Sequence, residues 1–98
     1  MNQPSTFFAP MIYLKILAPA IEFYKKAFDA IELRRWNNDD GSVHVAELMI
    51  DGALFHIHEE TIRDNELSPE TLKGTSIAIG LFVSDPFGHH WLIEKKLS

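Results

Sequence analysis

The chain has 98 residues, of which 46% are hydrophobic and 23% charged, and a formal net charge of −5. This length favours a single domain, residues 1–98, with one modest core, and the acidic balance argues against a nucleic-acid partner held through its phosphates. The absence of cysteine excludes disulfides and thiolate catalysis. The start MNQPSTFFAP has no signal-peptide pattern and no apolar run reaches membrane-spanning length, so we expect a cytoplasmic protein with no membrane partner.

The first sixty residues predict a strand, a helix and three further strands. Pro19 suits the first turn of a helix, and Ile21, Tyr24 and Phe28 recur at helical spacing after it. Asp51-Gly52 is a strong two-residue hairpin signal. The predicted bounds are strand Phe7–Ile16, helix Pro19–Asp29, and strands Ile31–Trp36, Ser42–Ile50 and Ala53–His58.

The last third predicts a loop followed by two strands. Residues 61–74 are polar and form the loop, with one helical turn at Pro69–Lys73. An apolar strand, Thr75–Val83, leads into a turn at Asp85–Gly88 and a closing strand, His89–Lys95. Strands outnumber helices and hairpins join them, so the expected fold class is α+β with a mostly antiparallel sheet.

The segment FHIH places two imidazoles on one face of a strand, because residues i and i+2 point the same way. His56 and His58 then share one face, and Phe55 and Ile57 share the other. One interpretation is a polar patch on a concave wall that binds an anionic or metal-chelating ligand. The other is a partly solvated face on which the histidines pair with carboxylates such as Glu59 or Glu47.

Several aromatic residues lie on predicted strands, and a place in the core is the default for each. A concave face lined by aromatics and a few polar groups also suits a planar small molecule. Trp36 stands near a hairpin tip, where it is expected to be exposed or to lie in an interface. The predicted ligand-binding residues are His56, His58, Trp36, Phe55 and Trp91.

Four segments resemble the PhnB-like branch of the vicinal oxygen chelate superfamily, which contains glyoxalase I, bleomycin-resistance proteins and extradiol dioxygenases. They read AIEFYKKAFDA, DGSVHVAELMIDGALFHIHEE, SPETLKGT and DPFGHHW. The resemblance implies a βαβββ module used twice, an open curved sheet around a cavity, and a homodimer. Residues 8–60 cover the first module, and residues 75–96 match only a remnant of the second.

The truncated second module would lack its helix and its two middle strands, roughly forty residues by typical element lengths. Either this segment is deleted in the protein, or the sequence omits it. The resemblance also implies metal-ligand positions near Ala9 or Pro10, His56, Ala78 and Leu92. Of these, His56 alone can bind a metal, so a divalent-metal cofactor would have an incomplete site.

Three functions follow from this resemblance. The first is a small-molecule-binding protein of the glyoxalase and bleomycin-resistance type without a complete metal site. The second is a metal-dependent lyase or dioxygenase, thus a lyase or oxidoreductase, that uses His56 with His58 and a ligand from the partner chain in a site shared across a dimer. The third is a degenerate family member with a structural, dimerising role. The sequence leaves the catalytic residues and the substrate open.

Overall fold

The chain forms two compact units, Met1–Ser68 and Pro69–Ser98. The computed structural model describes residues 6, 8–84 and 90–96, with residues 83–84 and 90–96 described by their backbone alone. Each unit has its own sheet, of four strands in the first and two in the second.

The first unit has the predicted order of strand, helix and three strands. The strands lie side by side in the order β1-β4-β3-β2. β1 is parallel to β4, and the other two pairings are antiparallel. The α+β class and the mostly antiparallel pairing are therefore confirmed. The elements are β1 (Met11–Leu14), α1 (Ala18–Phe28), β2 (Ile31–Asn37), β3 (Val43–Ile50) and β4 (Ala53–Glu59).

The hairpin between β3 and β4 fixes the register of the two histidines. Asp51 and Gly52 have φ angles of 45° and 86°, and two consecutive positive φ values match the hairpin turn whose twist suits the flanking strands. Ile50 thereby pairs with Ala53, and Glu47 pairs with His56. The predicted Asp51-Gly52 turn is confirmed, and it sets which side chains meet across these strands.

β1 is shorter than the predicted strand Phe7–Ile16. The carbonyl of Pro10 accepts a hydrogen bond of 2.9 Å from the His56 amide, but proline has no N–H to donate in return. At the other end, the carbonyl of Leu14 accepts from the Glu60 amide at 2.8 Å. The chain then turns into α1 through Leu17, which is only 1% exposed.

One face of the sheet and the helix form the core of the first unit. Ile21 of α1 is fully buried, and the Tyr24 ring lies edge-on to Phe55 of β4, with centroids 5.3 Å apart. Apolar burial of this kind is the main favourable contribution to folding. The buried apolar residues are Ile12, Leu17, Ile21, Ala30, Val43, Ala46, Leu48, Phe55 and Ile57.

A bulge in β2 divides its charged residues between the two faces. Glu32 pairs with Leu48, whereas Arg34 pairs with Glu47, so the register shifts by one residue between them. Glu32 therefore points to the helix side, where its carboxylate accepts hydrogen bonds from Lys25 and Arg35. The Arg35 hydrogen bond is the main reason that the pKa of Glu32 lies below its usual range.

The second unit contains a short helix and a hairpin. The helix α2 (Pro69–Leu72) lies within the predicted helical turn. β5 (Ala78–Ser84) and β6 (His90–Lys96) pair antiparallel, from Ala78 opposite Lys96 to Ser84 opposite His90. The predicted turn Asp85–Gly88 and the start of the closing strand at His89 lie outside the described residues.

The helices are short. The longest described one, α1, has 11 residues. Among the described residues, no helix combines the length and the apolarity needed to cross a membrane.

Replacing Ile57 by alanine tests the assignment of the core. Ile57 is fully buried, so Ile57→Ala should lower the free energy of unfolding by about 2–5 kcal/mol. Ile62→Ala is the matched control, because Ile62 is 74% exposed and its truncation should change that free energy by less than about 0.5 kcal/mol. Urea unfolding of both variants measures the difference. Equal losses would contradict the assigned core face.

Candidate ligand-binding face of the sheet

His56 and His58 lie on the face of the sheet that points away from α1. Their neighbours Phe55 and Ile57 are 8% and 0% exposed and face the helix side. The alternation predicted for FHIH is thus confirmed. We call the side of the sheet that carries His56 and His58 the open face.

Pairing between strands brings polar side chains from every strand to the two histidines. Arg34, Glu47 and His56 are successive partners across β2, β3 and β4, and residues paired in this way project to the same face. His58 is the partner of Tyr13 on β1. We call this set the polar row; it comprises Arg34, Glu47, His56, His58 and Tyr13, together with Glu66 from the loop after β4.

Glu47 contacts the first imidazole. Its Oε2 lies 3.4 Å from Nε2 of His56, and the two side chains are 17% and 21% exposed. Its Oε1 lies 3.9 Å from Nε of Arg34, whose side chain is 68% exposed. The pairing of a histidine with Glu47 is one of the two alternatives drawn from the sequence. Here Glu47 is largely shielded from solvent, unlike an ordinary surface carboxylate.

The second imidazole stands between His56 and Tyr13. Its ring centroid lies 6.4 Å from that of His56 and 5.5 Å from that of Tyr13. Burial, followed by the nearby His56, lowers the pKa of His58, while Glu66 opposes this shift. His58 is therefore neutral at neutral pH and has one nitrogen that can accept a hydrogen bond.

Tyr13 links the polar row to the loop after β4. Burial raises the pKa of its hydroxyl, and a hydrogen bond to the Glu66 carboxylate raises it further. The phenol therefore stays protonated and donates to Glu66. The backbone amide and carbonyl of Thr61 both bond to Glu66, at 2.8 and 3.1 Å, which holds the loop in place.

Of the other predicted ligand-binding residues, Trp36 joins this face. It pairs with Val45, the residue that also pairs with His58, and it is 46% exposed. Phe55 is not brought together with the histidines, because its ring packs on Tyr24 on the helix side. Trp91 lies in β6 of the second unit, opposite Val83, and its side chain is outside the described part of the structure.

The third imidazole of the first unit does not join the polar row. Nδ1 of His44 lies 3.3 Å from Oε1 of Glu59, and Asn38 also donates to that oxygen at 3.1 Å. This pairing gives the half-buried His44 a polar partner. Glu59, the other carboxylate that the sequence offered as a partner for His56 or His58, thus pairs with His44.

A divalent metal does not fit the side chains brought together here. In the described residues, no group of three or more His, Cys, Asp or Glu side chains is placed to hold a metal ion. Catalytic zinc sites normally take three protein ligands. The side chains of the open face can instead form hydrogen bonds. Its carboxylates and imidazoles can accept them, and exposed apolar surface lies beside these groups.

The chain is similar in sequence to proteins that carry the name uncharacterized protein. An uncharacterized protein of Mycobacterium bovis is 35% identical over 80 residues, which are 79% of this chain and 53% of that protein. An uncharacterized protein of Mycobacterium tuberculosis H37Rv shows the same identity over 80 residues, 79% of this chain and 47% of its own. The chain thus spans about half the length of the curated relatives it matches. No family model and no solved structure matches.

Sequence reasoning alone did not find three members of the polar row. Tyr13 joins because β1 is parallel to β4, and Arg34 joins because of the bulge in β2. Glu66 lies in the loop after β4, where no helical or strand periodicity could have predicted its position. Strand alternation could have suggested Tyr13, but it could not have paired Tyr13 with His58.

Proton NMR titration of the histidine rings tests the environment of His58. Because burial and His56 disfavour its charged form, His58 should titrate below the ordinary histidine pKa of 6.5. The unfolded chain then binds protons more readily, so this residue's contribution to stability should be lost as the pH falls below that ordinary value. Titration of His58 above 6.5 would contradict the structure.

Glu66→Gln provides the second arm of this test. Glu66 raises the pKa of His58, so removing its charge should lower that pKa further. Glu22→Gln on the exposed side of α1 removes the same charge elsewhere and should leave the His58 titration unchanged.

Proposed function

We propose that the chain is a small-molecule-binding protein whose ligand lies on the open face of the four-stranded sheet. The observation that carries the proposal is the convergence of two imidazoles and a phenol from two strands on a half-buried face. Such a combination of apolar surface and a few polar groups from different elements is typical of ligand sites.

The proposed class of protein is the glyoxalase and bleomycin-resistance type of the vicinal oxygen chelate superfamily. Support comes from the four sequence segments that resemble this superfamily and from the element order of Met11–Glu59, which is strand, helix and three strands.

Each group on the open face has a physical part in the proposed binding. Trp36 offers a half-exposed aromatic face for a planar group. Neutral His58 accepts or donates one hydrogen bond, according to its tautomer. Glu47 holds the ring of His56 in place, because its carboxylate lies beside Nε2. Prior fixing of a side chain reduces the entropy lost when a ligand binds.

A metal-dependent lyase or dioxygenase remains the alternative function within the same superfamily. Glu47 and His56 would supply one carboxylate and one imidazole, donors that suit zinc or iron. A further ligand would have to come from a second copy of the chain. The donors of the described residues do not complete such a site, so binding without a resident metal is the better-supported proposal.

We also propose that the protein is a homodimer in which a second copy covers part of the open face. This face exposes large apolar side chains, with Met11, Ile31 and Trp36 between 46% and 61% exposed. Met11 lies on one edge strand, and Ile31 and Trp36 lie on the other; exposed apolar surface marks interaction sites when a partner covers it. A two-fold axis would bring like surfaces together without leaving an open end.

A thermal-shift screen of planar, polar small molecules tests the binding proposal. A ligand of the open face should raise the melting temperature of the chain by mass action. Trp36→Ala and His58→Ala should each weaken its affinity by roughly tenfold, the size typical of a central contact. His44→Ala is the matched control, because His44 pairs with Glu59 away from the polar row. A ligand whose affinity falls only in the control would refute the location.

Sedimentation equilibrium tests the dimer. At micromolar concentration we expect a mass of twice the 11.2 kDa chain. Trp36→Ser and Ile31→Ser on the open face should shift the equilibrium toward the monomer. Ile62→Ser should not, although Ile62, in the loop after β4, is more exposed than either. A stable monomer of the unmodified chain would refute the proposal.

A further inference from the structure

A cavity of about 380 Å³ opens at the end of the first sheet, where α1 begins. Residues 15–18, which lead from β1 into α1, form one side of it, and residues 41–43, from the turn before β3 and its first residue, form another. Arg35 of β2 and Glu59 of β4 complete the lining. This volume is in the range of small-molecule sites, and no residue of the lining belongs to the polar row.

Part of the lining is apolar. Ile16 is 70% exposed and borders the cavity, whereas Leu17 and Val43 are 1% and 6% exposed and lie where the cavity meets the core. A ligand in this place would cover Ile16 and remove its own apolar part from water, and both changes are favourable. The lining therefore favours a ligand that has an apolar part.

The polar groups near the turn bond to one another. Asn38 donates to the Ser42 hydroxyl at 2.9 Å and to Oε1 of Glu59 at 3.1 Å. The amide and the hydroxyl of Ser42 both donate to Asp40, at 2.9 and 2.6 Å. Nδ1 of His44 lies 3.3 Å from the same oxygen of Glu59. The carboxylate in the lining thus has donors within the protein.

Arg35 keeps donors for a ligand. Its Nε and Nη2 donate to the two carboxylate oxygens of Glu32, which is 18% exposed and holds one edge of the guanidinium. A guanidinium has five N–H donors, so three of them take no partner among the residues that the structure describes. Two neighbouring N–H groups of a guanidinium match the two oxygens of a carboxylate.

Lys15 is the second cation of the lining. An ammonium group only donates hydrogen bonds, so it adds to the preference for an acceptor that Arg35 sets. Because Glu32 already orients the guanidinium, less side-chain entropy is lost when a ligand binds to it. The cavity therefore suits a ligand that brings a negatively charged acceptor and an apolar part.

We propose that this cavity binds a small carboxylate with a short apolar chain. The carboxylate bonds to Arg35 beside Lys15, and the chain lies against Ile16 and Leu17. The site is separate from the open face, so it goes beyond the small-molecule function proposed for that face.

An NMR titration of the isotope-labelled chain tests the ligand class. Pentanoate, pentanol and pentylamine share a chain and differ in the head group, and acetate lacks most of the chain. At neutral pH pentanoate should bind roughly tenfold or more tightly than each of the other three. The amides of residues 15–18 and 41–43 should shift most. Equal or tighter binding of another probe would overturn the proposal, as would no detectable binding of pentanoate.

Arg35→Gln tests the contact with the carboxylate. It should weaken pentanoate by roughly tenfold and leave pentanol nearly unchanged, because only the carboxylate needs the guanidinium. Arg63→Gln is the matched control, since it removes the same charge from a side chain that is 92% exposed and outside the cavity. Equal losses in the two variants would overturn the proposal.

Ala18→Leu is an independent test that removes no charge and no hydrogen bond. The larger side chain should fill part of the cavity and weaken pentanoate and pentanol alike, by roughly tenfold. Circular dichroism verifies the fold of each variant, and this variant decides the matter if Arg35→Gln does not fold. Unchanged pentanoate affinity in a folded Ala18→Leu protein would overturn the proposal.

The shifted amides separate this site from the open face. If pentanoate instead shifts the amides of His56 and His58, and Arg34→Gln weakens it while Arg35→Gln does not, the anion lies on the open face. That result would overturn the cavity proposal and support the small-molecule proposal.

Discussion

The parallel pairing of β1 with β4 is the contact on which the rest of the first unit depends. Met11, Ile12 and Tyr13 lie in register with His56, Ile57 and His58. A parallel pair needs a crossover connection, and here the crossover contains α1 and returns through β2 and β3. The same pairing therefore places the helix on one face of the sheet and brings Tyr13 to the histidines on the other.

Strand alternation then gives β4 two chemically different sides. Phe55 and Ile57 join Leu48 and Ile21 in the core, where burial of apolar surface stabilises the fold. His56 and His58 are left on the open face, where His56 lies beside Glu47 and His58 beside Tyr13. Core residues and residues of the candidate site thus alternate along one strand.

The carboxylates decide what the histidine pair can bind. An isolated pair of imidazoles could recognise an anion or ligate a metal. With Glu47 3.4 Å from His56 and with Glu66 hydrogen-bonded to Tyr13, the polar row becomes a surface of charged and hydrogen-bonding groups.

The sequence by itself determined the local features. The helical spacing of Ile21, Tyr24 and Phe28 predicted α1, Asp51-Gly52 predicted the hairpin, and FHIH predicted which face each residue of β4 would take. These features depend on interactions within a few residues, so the local pattern suffices. Even here the predicted strand Phe7–Ile16 was too long, because Pro10 limits pairing at its start.

Only the tertiary structure decided the composition of the candidate site. By simple alternation Glu32 and Arg34 would share a face, but the bulge in β2 sends Glu32 to Lys25 on the helix and Arg34 to Glu47. Tyr13 meets His58, and Glu66 meets Tyr13, through contacts between residues far apart in the chain. Long-range register and bulges are set by the packing of whole strands, which the alternation of a single strand does not encode.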